Sequence, residues 1–209
     1  MRRGVAVQGR VAATALLDPA LRQPWWHDII AGMPFGRRPS RRTVGLMLVV
    51  PIAVVSLVTV SVAVGIRLAP DDARRWHQDP LTASTPDSPN WYRITPPTSG
   101  ANDGSDRVGA SPVFEVPVDE LASGFDEIAL ADSRVEVLAG SADEGFVTYI
   151  QRSALMGYPD YISVRFIEAE EGGSTLAVFS RARYGTSDLG VNETRVDRWV
   201  QRTDERLDH

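Results

Sequence analysis

The sequence contains no cysteine and no lysine, and it has three histidines. Without cysteine, disulfides, thiolate catalysis and cysteine-based metal sites are excluded. Because all 22 basic side chains are arginine, Schiff-base chemistry and lysine-assisted phosphate transfer are excluded as well. Residues 111–208 contain no histidine. A Ser-His-Asp triad or a histidine-based zinc site is therefore not expected in this region.

Residues 43–66, TVGLMLVVPIAVVSLVTVSVAVGI, contain no charged side chain. These 24 residues form a helix of about 36 Å, which is long enough to cross a bilayer. The run therefore predicts a single transmembrane helix. Within it, Ser61 and Gly65 form one small-xxx-small pair, which predicts a weak homodimer contact between two such helices.

A cleaved signal peptide is the main alternative to an anchor, since Ser61-Val62-Ala63 resembles a cleavage site. The run is longer than the roughly 7–15 residues of a signal peptide. Ser40-Arg41-Arg42-Thr43 resembles a twin-arginine signal, but valine follows where that signal prefers phenylalanine. We therefore favour the anchor. A buried helix of a soluble protein is a poorer interpretation of so long an uncharged run.

Charge is distributed unequally about the apolar run. Eight arginines and two acids lie in residues 1–42, whereas fourteen arginines and twenty-five acids follow residue 66. Four of the arginines, at 37, 38, 41 and 42, lie immediately before the span. Positive residues beside a span stay in the cytoplasm. The distribution predicts a cytoplasmic N-terminus and an exported C-terminal part. The absence of lysine is typical of coding bias in a GC-rich bacterial genome, so we expect a bacterial inner-membrane protein whose C-terminal part is periplasmic. No nucleic-acid partner is expected.

Composition divides the chain into four parts: 1–42, 43–66, 67–111 and 112–208. Residues 1–42 are basic; they either lie on the membrane surface or precede a translation start at Met33 or Met47. Residues 67–111 are rich in Pro, Ser and Thr, which is typical of an extended tether, although Trp91 and Tyr92 are expected to dock on the domain. Residues 112–208 are expected to form one small domain.

The periodicity of residues 112–208 predicts a strand, a helix, four strands and a helix. The first helix begins after Pro117, and the last has Asn192 as its expected N-cap. The strand candidates are 113–116, 135–138, 146–152, 161–168 and 175–184. The predicted fold is α+β, with a small antiparallel sheet and both helices packed on one face.

Residues 180–192, SRARYGTSDLGVN, with Arg195 beyond them, resemble the signature SRxGxSDLGVNxxR of the domain of unknown function 1499 family. Gly157-Tyr158-Pro159-Asp160 resembles the Gly-Phe-Pro-Asp turn of that family, although Tyr161 replaces a second acid. The resemblance covers about residues 67–208. It implies a membrane-associated bacterial protein, and it implies no activity, substrate or catalytic residue.

Six residues are candidates for ligand binding: Arg165, Arg181, Arg183, Ser187, Asp188 and Asn192. Strand alternation places Arg181 and Arg183 on one face of the sheet, which is either a solvated face paired with acids or an arginine-lined anion site. Ser187 and Asp188 either bind a ligand or satisfy backbone amides in the turn before the last helix. Asp160, Asp188 and Glu193 are an alternative group for a hard cation.

The leading functional prediction is a membrane-tethered interaction or ligand-binding module that meets an envelope protein or an anionic ligand. The alternative is a carboxylate-based or metal-assisted hydrolase that acts on an envelope substrate through Asp160 and Asp188. The sequence favours a protein that is not an enzyme. No cofactor is expected.

Overall fold

The computed structural model describes residues 41–100 and 105–208. The chain divides into two compact units, Met1–Val55 and Ser56–His209. Most of the basic segment 1–42 lies outside the described residues. Its two interpretations therefore stay predictions.

Helix α1 spans Arg41–Leu68 and contains Pro51. Its segment Val49–Leu68 is long and apolar enough to cross a membrane. Large apolar side chains along it are exposed; Ile52 and Leu57, for example, expose 65% and 68% of their area. Exposed apolar surface of this extent marks an interaction or membrane site. The helix is therefore consistent with a single-pass anchor, as the uncharged run predicted.

The second unit is built around a seven-stranded sheet. Its strands are β1 Trp91–Thr95, β2 Val108–Ala110, β3 Val113–Phe114, β4 Val135–Ser141, β5 Phe146–Arg152, β6 Pro159–Glu168 and β7 Ser174–Ala182. Their order is β2-β1-β7-β6-β5-β4, and β3 pairs with β7. The α+β class is confirmed, but the sheet is larger than the small one predicted. It is also not wholly antiparallel, since β1 and β2 pair in parallel.

Two amphipathic helices, α3 Val118–Ala131 and α4 Val191–Leu207, pack on one face of the sheet. Short helices occur at Ala73–Trp76 (α2) and Pro97–Ser99 (a 3-10 turn). Phe125 of α3 and Trp199 of α4 are fully buried, with ring centroids 6.0 Å apart in an edge-on arrangement. Burial of side chains of this size stabilises the fold by roughly 1.5–3 kcal/mol each. The two helices that the periodicity predicted thus both contribute to the core.

The opposite face of the sheet is covered by residues 69–90, here called the covering segment. Trp76 stacks on Tyr161 of β6 with centroids 4.0 Å apart, and His77 stacks on Phe146 at 3.9 Å. As a result β7 is buried on both faces along almost its whole length. The sequence left a solvated sheet face open as one of two interpretations here, and it predicted a tether over 67–111. Both expectations need correction, because this segment packs on the sheet and then supplies β1 and β2.

Trp91 and Tyr92 dock on the domain as predicted, since β1 pairs with β7. Trp91 lies edge-on to Phe179 with centroids 5.9 Å apart, on the face of the covering segment. The side chain of Tyr92 packs against the core on the helix face. This alternation is what a strand buried on both faces requires.

Candidate functional site

The six candidate residues lie in two places. Arg181 and Arg183, at the end of β7, line an open cavity of about 690 Å³ between that strand and the covering segment. Arg75, Trp76 and Asp79 of the covering segment line the same space, here called the arginine cavity. Arg165 lies elsewhere on β6, and Ser187, Asp188 and Asn192 form the turn and first residues of α4.

Arg181 is the most unusual residue of the arginine cavity. It exposes 2% of its area and forms no ion pair with a carboxylate among the described residues. Its guanidinium donates to the Trp76 carbonyl, and its carbon centre lies 4.6 Å from the Phe179 ring. Burial, together with the positive charge of Arg93, lowers the pKa of Arg181 to about 10. In the part of the chain that the structure describes, the site therefore holds a buried positive charge without an opposite one.

Arg183 is compensated, unlike its neighbour on the same face. Its guanidinium lies 3.6 Å from a carboxylate oxygen of Asp71 and donates to the Pro70 carbonyl at 3.0 Å. Asp71 also accepts from Arg152 and, at 2.5 Å, from the Tyr161 hydroxyl. Burial and the hydrogen bond to Asp71 raise the pKa of Tyr161, so this hydroxyl remains a donor. Asp71 thus fastens the start of the covering segment to the sheet.

Arg165 does not join the arginine cavity. Its guanidinium lies 2.8 Å from a carboxylate oxygen of Asp79 and 4.8 Å above the Phe146 ring. The His77 ring stacks on the same Phe146 ring, and its Nδ1 lies 2.9 Å from the Thr148 hydroxyl. Burial lowers the pKa of His77, and Arg165 lowers it further against the influence of Glu144. These contacts hold the covering segment in place.

The turn before α4 is organised by Asp188. One of its carboxylate oxygens accepts from the backbone of Asn192 at 2.9 Å and from the side-chain amide of that residue at 2.6 Å. The other accepts from Gly190 at 3.3 Å, and Ser187 accepts from the backbone of Leu189. Asp188 therefore satisfies amides at the start of α4 and complements the positive end of its dipole.

Asn192 is not the N-cap that the sequence predicted. Gly190 occupies that position, and Asn192 lies inside α4 with a fully buried side chain. Its carbonyl oxygen accepts from Ser180 at 2.6 Å and from Arg195 at 3.0 Å, while its amide donates to the Asn90 carbonyl at 3.1 Å. The residue is thus a buried connector between α4, β7 and the covering segment.

Arg195 is a buried residue that the sequence analysis placed in the family signature without a role. It exposes 3% of its area and donates to Gln151 at 2.6 Å, to Ser180 at 2.9 Å and to Asp160 at 2.5 Å. Burial raises the pKa of Asp160, while Arg195 opposes that rise. Gln151, Asp160 and Arg195 line a second open cavity of about 460 Å³. Arg152 and Arg198 line it as well.

Sequence reasoning also missed Arg75 and Asp71, because both lie in the segment interpreted as a tether. The available signal was Trp76, since an aromatic residue beside them marks a segment that packs on the domain. For Arg195 the signal was its spacing: it follows Asn192 by three positions and therefore shares one helix face with it.

The described residues, 41–100 and 105–208, contain no group of three or more acidic or histidine side chains arranged to hold a metal ion. Asp160, Asp188 and Glu193 accordingly do not form the cation group considered from the sequence. Asp160 is instead paired with Arg195, and Asp188 accepts from the amides at the start of α4.

Fold and site together define an α+β domain with a buried polar network at one helix and an arginine-lined cavity on the opposite sheet face. Residues 105–202 match the model of the family described as Protein of unknown function (DUF1499), which supports membership of that family. The match confirms the resemblance seen in residues 180–195. None of the curated proteins compared with the chain matches it.

Proposed function

We propose that the protein is a single-pass bacterial inner-membrane protein whose domain faces the periplasm and binds an anionic ligand of the cell envelope in the arginine cavity. The observation that carries this proposal is the buried guanidinium of Arg181. Removing such a charge from water costs several kcal/mol unless an opposite charge accompanies it. A bound oxyanion would supply that charge.

The charges around Arg181 favour an anion over a neutral ligand. Arg75 is exposed at the cavity, with its guanidinium 4.9 Å from the Trp76 ring, and it forms no ion pair among the described residues. The one carboxylate of the lining, Asp79, is already paired with Arg165. Guanidinium groups bind phosphate and carboxylate oxygens through paired hydrogen bonds. A phosphate group is therefore the ligand chemistry that we test first.

The proposed location depends on α1 and the charge distribution. The segment Val49–Leu68 supports a membrane anchor. The arginines before it support a cytoplasmic N-terminus, and the acidic excess after it supports export of the domain. An acidic side chain of an envelope protein would offer the cavity the same chemistry as a small anion.

The alternative function, a hydrolase acting through Asp160 and Asp188, gains no support from the site. Asp160 is paired with the buried Arg195, and both oxygens of Asp188 accept backbone amides near the start of α4. A general acid or base must reach its substrate within hydrogen-bond distance. Either carboxylate would have to leave these partners to do so. We therefore retain the binding module as the proposal.

Anion binding is tested by thermal melts of the full chain in detergent. We compare inorganic phosphate and pyrophosphate with chloride at matched ionic strength, because salt alone screens surface charges. A ligand at 100 times its dissociation constant stabilises the native state by about 2.7 kcal/mol. Arg75→Gln should weaken the stabilisation, whereas Arg202→Gln, at an exposed position of α4, should not. Equal melting temperatures of the wild type in phosphate, pyrophosphate and chloride would contradict the proposal.

Orientation is tested by reporter fusions after residue 208. An alkaline phosphatase fusion should be active, and a reporter that requires the cytoplasm should be silent at the same point. The reverse pattern would place the arginine cavity in the cytoplasm and would overturn the envelope part of the proposal.

A further inference from the structure

The loops at one end of the domain expose apolar and aromatic side chains. Leu155 and Leu189 expose 82% and 92% of their area, and Tyr158 and Tyr184 expose 39% and 38%. The two tyrosine rings lie 5.6 Å apart. Leu189 has a positive φ of 54°, a conformation that leucine rarely adopts. We call these four residues the apolar rim.

The apolar rim lies beside the end of α1. The guanidinium of Arg67, in the last turn of that helix, donates to the Leu155 carbonyl at 3.0 Å. Gly157 has a φ of 76°, and a Cβ atom there would lie 2.8 Å from Cγ of Arg67. Arg183, which precedes Tyr184, donates to the Pro70 carbonyl. Both loops of the rim are therefore tied to residues in the last turn of α1 or just beyond it.

The two loops of the rim also adjoin each other away from α1. Leu189 and Ser153 line the same cavity, and Tyr158 contacts Tyr184 across the two loops. The four exposed apolar or aromatic side chains thus lie on two adjoining loops rather than as scattered single residues. A clustered surface of this kind marks an interaction site, whereas a single exposed leucine does not.

We propose that the apolar rim lies in the headgroup region of the leaflet from which α1 emerges. The inference rests on the proposed anchoring of α1. The rim is held against the last turn of α1. The nearest apolar phase available to its side chains is therefore the bilayer that this helix spans. Tyrosine is enriched at the membrane interface, and leucine side chains enter the boundary between headgroups and acyl chains.

The opposite end of the sheet has a different character. Strand β6 carries the chain ten residues away from the rim, to Glu168, a distance of roughly 33 Å. The hairpin beyond it contains Glu170 and Glu171, both exposed. The end next to the span therefore exposes the four side chains of the rim, whereas the hairpin at the distant end exposes acidic side chains.

The absence of cysteine allows a direct test with single labels in the full chain. Leu155→Cys, Glu170→Cys and Val58→Cys each receive a polarity-sensitive fluorophore, and each protein is reconstituted into nanodiscs. Quenching is measured with lipids brominated near the headgroup and, separately, near the chain ends. The label at Leu155 should be quenched by the shallow bromines and emit at shorter wavelength than the label at Glu170, which should not be quenched.

The label at Val58, within α1, separates failure of the inference from failure of the anchoring. If Val58 is quenched by the deep bromines while Leu155 matches Glu170, the rim does not contact lipid and the inference is overturned. A Leu155 label that shifts in wavelength without quenching also overturns it, because the rim is then covered by protein. If Val58 itself is not quenched, the anchoring proposal fails.

Discussion

Replacing Arg195 by alanine removes the charge that joins α4 to three strands. Its guanidinium donates to Gln151 of β5, Asp160 of β6 and Ser180 of β7. The carboxylate of Asp160 is largely buried, with 16% of its side chain exposed. The change therefore leaves an uncompensated negative charge inside the domain and removes the guanidinium hydrogen bonds to Gln151 and Ser180.

The expected loss follows from that geometry. Removing one partner of a buried ion pair costs about 3–5 kcal/mol. Arg195 holds the pKa of Asp160 down against the effect of burial, so this pKa rises further in the variant. A carboxyl with a raised folded-state pKa adds stability below its unfolded pKa and loses it as the pH rises through the folded value. The loss of unfolding free energy caused by Arg195→Ala should therefore become smaller as the pH is lowered from 7 towards 5.

Urea unfolding followed by tryptophan fluorescence measures the free energy of unfolding. Arg202→Ala, on the same helix but exposed, should change it by less than about 0.5 kcal/mol. Adding Asp160→Ala to Arg195→Ala should cost less than the sum of the single changes, because the two residues interact. A loss below about 1 kcal/mol, or strictly additive changes, would refute the reasoning about this buried pair.

Three further predictions concern other parts of the domain. Trp199→Ala should destabilise by about 3–5 kcal/mol, because the ring is fully buried; a loss below about 1 kcal/mol in chemical denaturation would contradict this packing. Asp188→Ala should cost about 0.5–2 kcal/mol, whereas Asp188→Asn should cost less; equal losses in thermal melts would contradict the capping role. The lowered pKa of His77 means that the unfolded chain binds the proton more readily, so stability should fall as the pH drops below about 6.5. His77→Gln should flatten that dependence, and an unchanged pH profile would contradict it.

The sequence predicted the helices and central strands because their periodicities are local. Strand β5 matches its predicted bounds, and both predicted helices pack against the core. Strands β1 and β2 were missed because the surrounding Pro, Ser and Thr residues dominate the composition of 67–111. The unbroken apolar run of Leu176–Phe179 was a usable sign that β7 is buried on both faces, since a half-solvated strand alternates.

The candidate site was predicted in part. Strand alternation correctly placed Arg181 and Arg183 on the same face, and both line one cavity. It did not reveal that Asp71 neutralises Arg183 while Arg181 has no carboxylate partner among the described residues. The residues that decide this difference are more than a hundred positions away in the chain. No local pattern reports such contacts, because they depend on how the covering segment crosses the sheet.

The central claim is that an anion binds beside Arg181, and calorimetric titration of the full chain with inorganic phosphate tests it most directly. Wild type and Arg202→Gln should give the same saturable binding. Arg75→Gln should weaken it by about tenfold, equivalent to about 1.4 kcal/mol. Arg181→Met should abolish it while retaining the native near-ultraviolet circular dichroism. Absent binding in the wild type, or undiminished binding in a folded Arg181→Met protein, would contradict the account.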